Sequence, residues 1–194
     1  AMKGKTCILR VDFNVESTKD ALRLAASLPS IKFLLKNGAK VLIISHRGRP
    51  QKSIKYQAVS SKNHEPELSL KVFIPFLKKH LKKEIHFLTG LPAKLPGADV
   101  CLMENLRFWP EEEADDADFA RHLATLGDFY VNDAFAVCHR ANASVTQLPK
   151  LLPSYAGLLL QKEIVTLSEV MKKPKKPLLL IFGGSKVDDK LPVI

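Results

Sequence analysis

The chain has 194 residues, 46% of them apolar, enough for one large α/β domain or for one domain and part of another. Thirty Lys and Arg against twenty Asp and Glu leave a net charge of +10, which calls for an anionic partner without distinguishing nucleic acid, membrane surface or a small phosphorylated molecule. Three widely separated cysteines, Cys7, Cys101 and Cys138, show neither disulfide-framework nor zinc-ligand spacing, so a reduced cytoplasmic setting is expected; no apolar run approaches the ~20 residues that span a bilayer.

Short branched apolar runs alternate with longer amphipathic stretches, the βαβ pattern of an α/β fold around a mostly parallel, roughly six-stranded sheet flanked by helices. A strand is predicted over 6–11 and a helix over 20–37, closed by Asn37-Gly38 as a C-cap. A strand over 40–45 then enters the polar stretch 47–66, the clearest long loop. Beyond it come a helix over 67–83, strands over 84–88 and 99–103, a helix over 114–126, a strand over 128–132 and a helix over 156–172. Pro29 and Pro75 fall inside two of these helices and should kink them or shift their ends. The run Lys172-Lys173-Pro174-Lys175-Lys176-Pro177 stops the last helix and marks a domain boundary. The apolar strand 177–182 that follows reads as buried on both faces, yet no strands remain to flank it, so further chain is expected beyond Ile194. The division that results is a domain over 1–155, a connecting helix over 156–173 and the start of a second domain over 174–194.

Polar residues gather where strands end, the side on which open parallel sheets form ligand crevices. Asp12 and Asn14 follow the first strand, His46 and Arg49 the second; Glu104-Asn105-Leu106-Arg107 and Asn132-Asp133 with His139-Arg140 follow two others. Arginines at separate strand ends repel unless a polyatomic anion bridges them, and guanidinium forks match phosphate or carboxylate. Arg23, Arg49, Arg107 and Arg140 therefore suit a small polyanion, with dispersed solvated charge as the alternative. Near the end, Gly183-Gly184-Ser185-Lys186 and Lys190 form a strand, a double-glycine turn and a helix start, able to present backbone N–H groups to phosphate but lacking the P-loop spacing.

Six spaced motifs occur in one order: Val11-Asp12-Phe13-Asn14-Val15, Ser45-His46-x-Gly48-Arg49-Pro50, Glu104-Asn105-Leu106-Arg107-Phe108 with Glu111-Glu112-Glu113, Tyr130-Val131-Asn132-Asp133-Ala134-Phe135 with His139-Arg140-Ala141-x-Ala143-Ser144, Ala156-Gly157, and Gly183-Gly184-x-Lys186-Val187. In this the chain resembles the phosphoglycerate kinases along its whole length. The resemblance implies the phosphoglycerate-binding domain of that family, with most of the nucleotide-binding C-terminal domain missing. It implies reversible phosphoryl transfer between 1,3-bisphosphoglycerate and ADP, giving 3-phosphoglycerate and ATP in glycolysis, with Mg²⁺ accompanying the nucleotide. By it, Asp12, Asn14, Arg23, His46, Arg49, Arg107 and Arg140 bind 3-phosphoglycerate, and Arg23 and Lys186 assist the transferring phosphoryl group. Gly184, Lys186 and Lys190 meet the nucleotide.

Several positions depart from the family pattern: Glu16 stands where Pro is common, Arg47 replaces Leu, Ala136-Val137-Cys138 replaces Gly-Thr-Ala, Asn142 replaces His and Ser185 replaces Ala. None removes a charged ligand, and Arg47 is expected as an additional, solvated cation. The chain by itself is expected to hold no metal or nucleotide and to turn over negligibly; a small-anion-binding module without activity is the rival reading. Nucleic acid and membrane are not expected as partners, since no aromatic-interleaved basic motif or groove-reading helix is seen. The apolar segment 177–194 should find a partner, a second copy in a symmetric dimer being favoured.

Overall fold

A computed structural model of the chain describes residues 2–15, 21–50 and 65–172, together with Pro174, Lys176, Pro177 and Leu179. The strands are β1 (Thr6–Arg10), β2 (Lys40–Ile44), β3 (His86–Leu88), β4 (Val100–Met103), β5 (Phe129–Asn132) and β6 (Ser154–Ala156). The helices are α1 (Ala21–Lys36), α2 (Ile74–Leu81), α3 (Pro110–Glu113), α4 (Ala117–Ala124), α5 (Ala143–Thr146), α6 (Leu148–Leu151) and α7 (Leu158–Lys172). Residues 1–163 and 164–194 form two compact units, and the sheet and all the site residues described below belong to the first.

The six strands pair only in parallel, in the order β3-β4-β2-β1-β5-β6. Parallel pairing needs helical crossovers, which bury both sheet faces and explain the nearly continuous apolar strands. Alternation splits β1 to β5 between two cores. Cys7 and Leu9 of β1, Val41 and Ile43 of β2 and Leu102 of β4 pack with Leu24 and Ile31 of α1 and Leu77 of α2. Ile8, Leu42, Ile44, Cys101 and Met103 pack on the other face with Phe119 and Leu123 of α4 and Leu148 of α6. After β1 the chain moves to one side of the sheet, through β2, β3 and β4, before returning to add β5 and β6 on the other. The crevice of such a sheet lies where this order reverses, beside β1 at the carboxyl ends.

Five strands lie within one or two residues of expectation. The sixth, β6, is added at the edge: Ser154, Tyr155 and Ala156 are all exposed, so no burial pattern announces it. Pro29 stays inside α1, whereas Pro75 moves the start of its helix, since α2 begins only at Ile74 after two 3-10 turns, Pro66–Leu68 and Leu70–Phe73. The helix expected over 114–126 begins at Ala117, where the Asp116 side chain accepts from the Phe119 N–H at 2.7 Å and caps it; α3 precedes it as a separate turn. Apart from Pro177 and Leu179, the strand expected over 177–182 lies outside the described residues, as does the dimer built on it.

Candidate functional site

Four chain segments leave the carboxyl ends of β1, β2, β4 and β5, and short polar contacts knit them together. The Ser45 hydroxyl donates to the Val11 carbonyl at 2.7 Å and accepts from the Phe13 N–H at 2.9 Å, fixing the exit of β1 against that of β2. Asp12 then turns back on itself, accepting from the Asn14 N–H at 3.0 Å, and the Asn14 side chain accepts from the Gly48 N–H at 2.9 Å. Gly48 has φ +59°, which favours glycine, and a Cβ there would sit 2.5 Å from Leu68 Cδ2 and push that side chain aside. Asn105, wholly buried, accepts from the backbone N–H groups of Arg47 and Arg107 and donates to the carbonyls of Arg47 and Leu68, joining the exits of β2 and β4. Glu104 is structural in the same sense, accepting from the N–H groups of Leu70 and Asn105 and from the Ser69 hydroxyl.

On this frame the structure gathers the expected ligands. Arg23, half-exposed on α1, reaches Asp12 at 3.2 Å and the Asn14 carbonyl at 3.1 Å. Arg107, nearly buried, donates to the Gly48 carbonyl at 2.6 Å and lies 3.1 Å from a Glu113 oxygen. Its guanidinium pKa is lowered, by burial first; Glu113 opposes this, while Arg140, Arg10 and Arg49 add to it. Arg49 is exposed and Arg140 half-buried, and among the described residues no carboxylate lies within ion-pairing distance of either. His46 is buried, and its pKa falls from 6.5 to about 2 through burial and the positive fields of Arg10, Arg107, Arg140 and Arg23, so the ring is neutral.

Arg47 corrects an expectation. Instead of extending into solvent it is buried, donating to the carbonyls of Val15 at 2.9 Å and Ser69 at 3.1 Å, with its guanidinium 5.3 Å from the centre of the Phe73 ring. Two carbonyls and an aromatic face offset its desolvation.

Sequence reading also missed three buried partners. Arg10 donates through Nε to the Ser144 hydroxyl at 3.1 Å, through Nη1 to the Val11 carbonyl at 2.6 Å, and lies with Nη2 3.1 Å from His46 Nδ1. Both oxygens of the fully buried Glu112 accept from Ser144, one from the hydroxyl at 2.5 Å and one from the N–H at 2.9 Å. The signal was there for Arg10 alone: a charge inside a doubly covered parallel strand must have a partner.

Beside the site, Asp133 ends β5 and accepts from the N–H groups of Leu159 and Leu160, capping α7. Gly157 is required there, because a Cβ would come 2.2 Å from the Asp133 carboxylate. Gly184, Lys186 and Lys190 lie outside the described residues, and no cluster of three His, Cys, Asp or Glu side chains placed for a metal ion occurs among the described ones. Nor, among the described residues, is any helix long and apolar enough to cross a membrane.

Fold and site together define an α/β protein that gathers arginines at the switch point of a six-stranded parallel sheet. The family model for phosphoglycerate kinase matches residues 1–194, and the chain belongs to that family. It is 41% identical to the phosphoglycerate kinase of Coprothermobacter proteolyticus and 42% identical to that of Moorella thermoacetica; each match covers all of this chain and half of the relative. The cytosolic phosphoglycerate kinase of Triticum aestivum is 42% identical, matched over all of this chain and 49% of its own length. Among solved structures, phosphoglycerate kinase from Coxiella burnetii superposes with a TM-score of 0.82 at 31% identity, over 97% of this chain and 48% of the other. The chain thus spans about half the length of the relatives it matches.

Proposed function

We propose that this chain is the phosphoglycerate-binding half of a phosphoglycerate kinase, acting in cytoplasmic glycolysis on 1,3-bisphosphoglycerate and 3-phosphoglycerate. The observation that carries it is electrostatic: arginines from α1, β1 and the exits of β4 and β5 all act on His46 with the same sign, and Arg49 and Arg140 have no carboxylate partner among the described residues. A small anion with several oxygens relieves that repulsion. Asp12 and Asn14 supply the polar complement that recognises the glycerate hydroxyl, while His46, Arg49, Arg107 and Arg140 hold its charged ends. Arg23 is assigned to the transferring phosphoryl group, whose chemistry needs positioning and charge neutralisation more than a nucleophile.

Lys186, Lys190 and Gly184 are assigned to the nucleotide, which Mg²⁺ would accompany in the complete enzyme to neutralise phosphate charge. Acting alone, the chain binds one reactant and turns over little, since positioning fails when the other is not held. Calorimetry with 3-phosphoglycerate tests the site. Arg49→Ala and Arg140→Ala should each weaken binding by about 1.5–3 kcal/mol, and unchanged affinity in both would sink the assignment. A coupled assay with ATP tests the second half of the reading: turnover by this chain within tenfold of the ~1–100 s⁻¹ typical of kinases would overturn it.

A further inference from the structure

We propose that Glu112, Ser144 and Arg10 form a positioning chain that fixes His46 as its Nε2-protonated tautomer, so that the ring meets an oxygen of bound phosphoglycerate as a hydrogen-bond donor. The role toward ligand rests on the binding reading above; the tautomer does not.

Donor and acceptor roles along this chain are forced. Arginine has donors only, so the Arg10 Nε–H donates to the Ser144 hydroxyl oxygen and Nη2–H donates to His46 Nδ1, which must then carry no proton. The serine hydroxyl has one proton, and it goes to Glu112, whose other oxygen takes the Ser144 N–H. The carboxylate, at the far end, balances the guanidinium charge through Ser144. Arg10 Nη1 is held by the Val11 carbonyl, so the guanidinium plane has little freedom to rotate away from the ring. Arg10, Ser144 and Glu112 are each nearly or fully buried, and a buried network in which each member is satisfied is rigid.

The alternation of β1 explains the placement. Arg10 shares a strand face with Ile8, the face covered by the second core, and there α3 and α5 bring Glu112 and Ser144 to it. The groups acting on His46 from the surrounding elements are Arg10 of β1, Arg23 of α1, Arg107 after β4 and Arg140 after β5, all cations. A second proton on the ring would add to that repulsion and displace the Arg10 donor. With Nδ1 occupied, Nε2–H is the only polar group the ring can offer a ligand, and to a phosphate or carboxylate oxygen it is the useful one.

The experiment is nitrogen-correlated NMR of the histidine rings in this chain, without ligand, across about pH 5 to 8, the range in which an ordinary histidine titrates. In the wild type, His46 should show the fixed Nε2–H pattern throughout. Ser144→Ala should convert it to the averaged shifts of exchanging neutral tautomers, and Ser144→Thr, which keeps the hydroxyl, should restore the fixed pattern. A wild-type ring that titrates there, or that carries its proton on Nδ1, overturns the proposal; so does survival of the wild-type pattern in Ser144→Ala. If Ser144→Ala does not fold, Glu112→Gln takes its place with the same two outcomes. Failure to bind 3-phosphoglycerate would count against the binding reading and leave the tautomer result standing.

Discussion

The two ends of the sheet both carry cations and use them differently. At the amino ends the cations are lysines, two of which pair with exposed carboxylates: Lys83 with Asp99 at 2.6 Å and Lys78 with Glu84 at 2.5 Å. A cavity of about 470 Å³ opens there, lined by residues including Thr6, Lys40, Lys94, Gly97, Cys101 and Asp128. At the carboxyl ends the cations are arginines: Arg23 and Arg107 each meet one carboxylate, Arg10 and Arg47 are held by backbone carbonyls and buried side chains, and Arg49 and Arg140 have no carboxylate within ion-pairing distance among the described residues. A cavity of about 440 Å³ opens at the carboxyl ends of β3 and β4 as well, lined by residues including Ser69, Thr89 and Glu104, so volume does not separate the two ends and chemistry does. What marks a site is charge that the fold holds in place without neutralising it, since paired surface lysines cost little and direct nothing.

If this contrast is sound, damage at the carboxyl end should be costly. The largest effect is expected for Glu112→Ala, which leaves Arg10 without a nearby counter-charge and the Ser144 hydroxyl and N–H without their acceptor in a dry interior, at about 3–5 kcal/mol. Urea denaturation checks it, and a loss no greater than that of an average surface substitution would show the chain of buried partners to be energetically idle. Next come two glycines. Gly157→Ala, with its Cβ driven into Asp133, should destabilise by roughly 1–3 kcal/mol, whereas Gly97→Ala at the amino-end cavity meets nothing within 4 Å and should be nearly neutral. Equal effects would erase the contrast.

A third prediction concerns pH. His46 falls from 6.5 to about 2 on folding, so below the unfolded value the unfolded chain takes up a proton that the folded one refuses. Stability from this group is complete above about pH 6.5 and is lost as pH falls. The wild type should therefore lose about 1.4 kcal/mol more per pH unit than His46→Gln below roughly pH 6. Burial pushes the Glu112 carboxyl upward, which acts in the opposite direction, but it is common to both proteins and cancels in the difference. Parallel stability curves at pH 7, 6 and 5 would mean that His46 is not held neutral.

Much of this was legible in the sequence. Asp12, Asn14, His46, Arg107 and Arg140 declare themselves by standing just past apolar strands, and the structure brings their segments together. What stayed hidden depends on three-dimensional partners. Glu112 lies in a run of three glutamates whose neighbours are less buried, so nothing local separates the one that faces Ser144 from the two that do not. Arg47 reads as a solvated cation because its partners, the carbonyls of Val15 and Ser69 and the Phe73 ring, come from separate segments. β6 is three exposed residues after a proline, a strand made by its neighbour β5 rather than by its own pattern.

The smallest expected effect is also the sharpest test of the contrast. If binding followed net charge, any cation would contribute, and Lys83→Ala would weaken 3-phosphoglycerate binding about as much as Arg140→Ala. Lys83 precedes β3 at the amino end, and the sheet between the ends is a strand long: the five residues of β1 span roughly 16 Å. That is about twice the screening length of ~8 Å at physiological salt. Lys83 is moreover already paired with Asp99, whose carboxyl it holds below its ordinary value. Its removal should change affinity by less than about twofold, against the roughly tenfold or greater loss expected for Arg140→Ala. Calorimetry on both variants in the same buffer settles the matter. Comparable losses would mean that the arginines are ordinary members of a basic surface, and that the carboxyl end has no special claim to the anion.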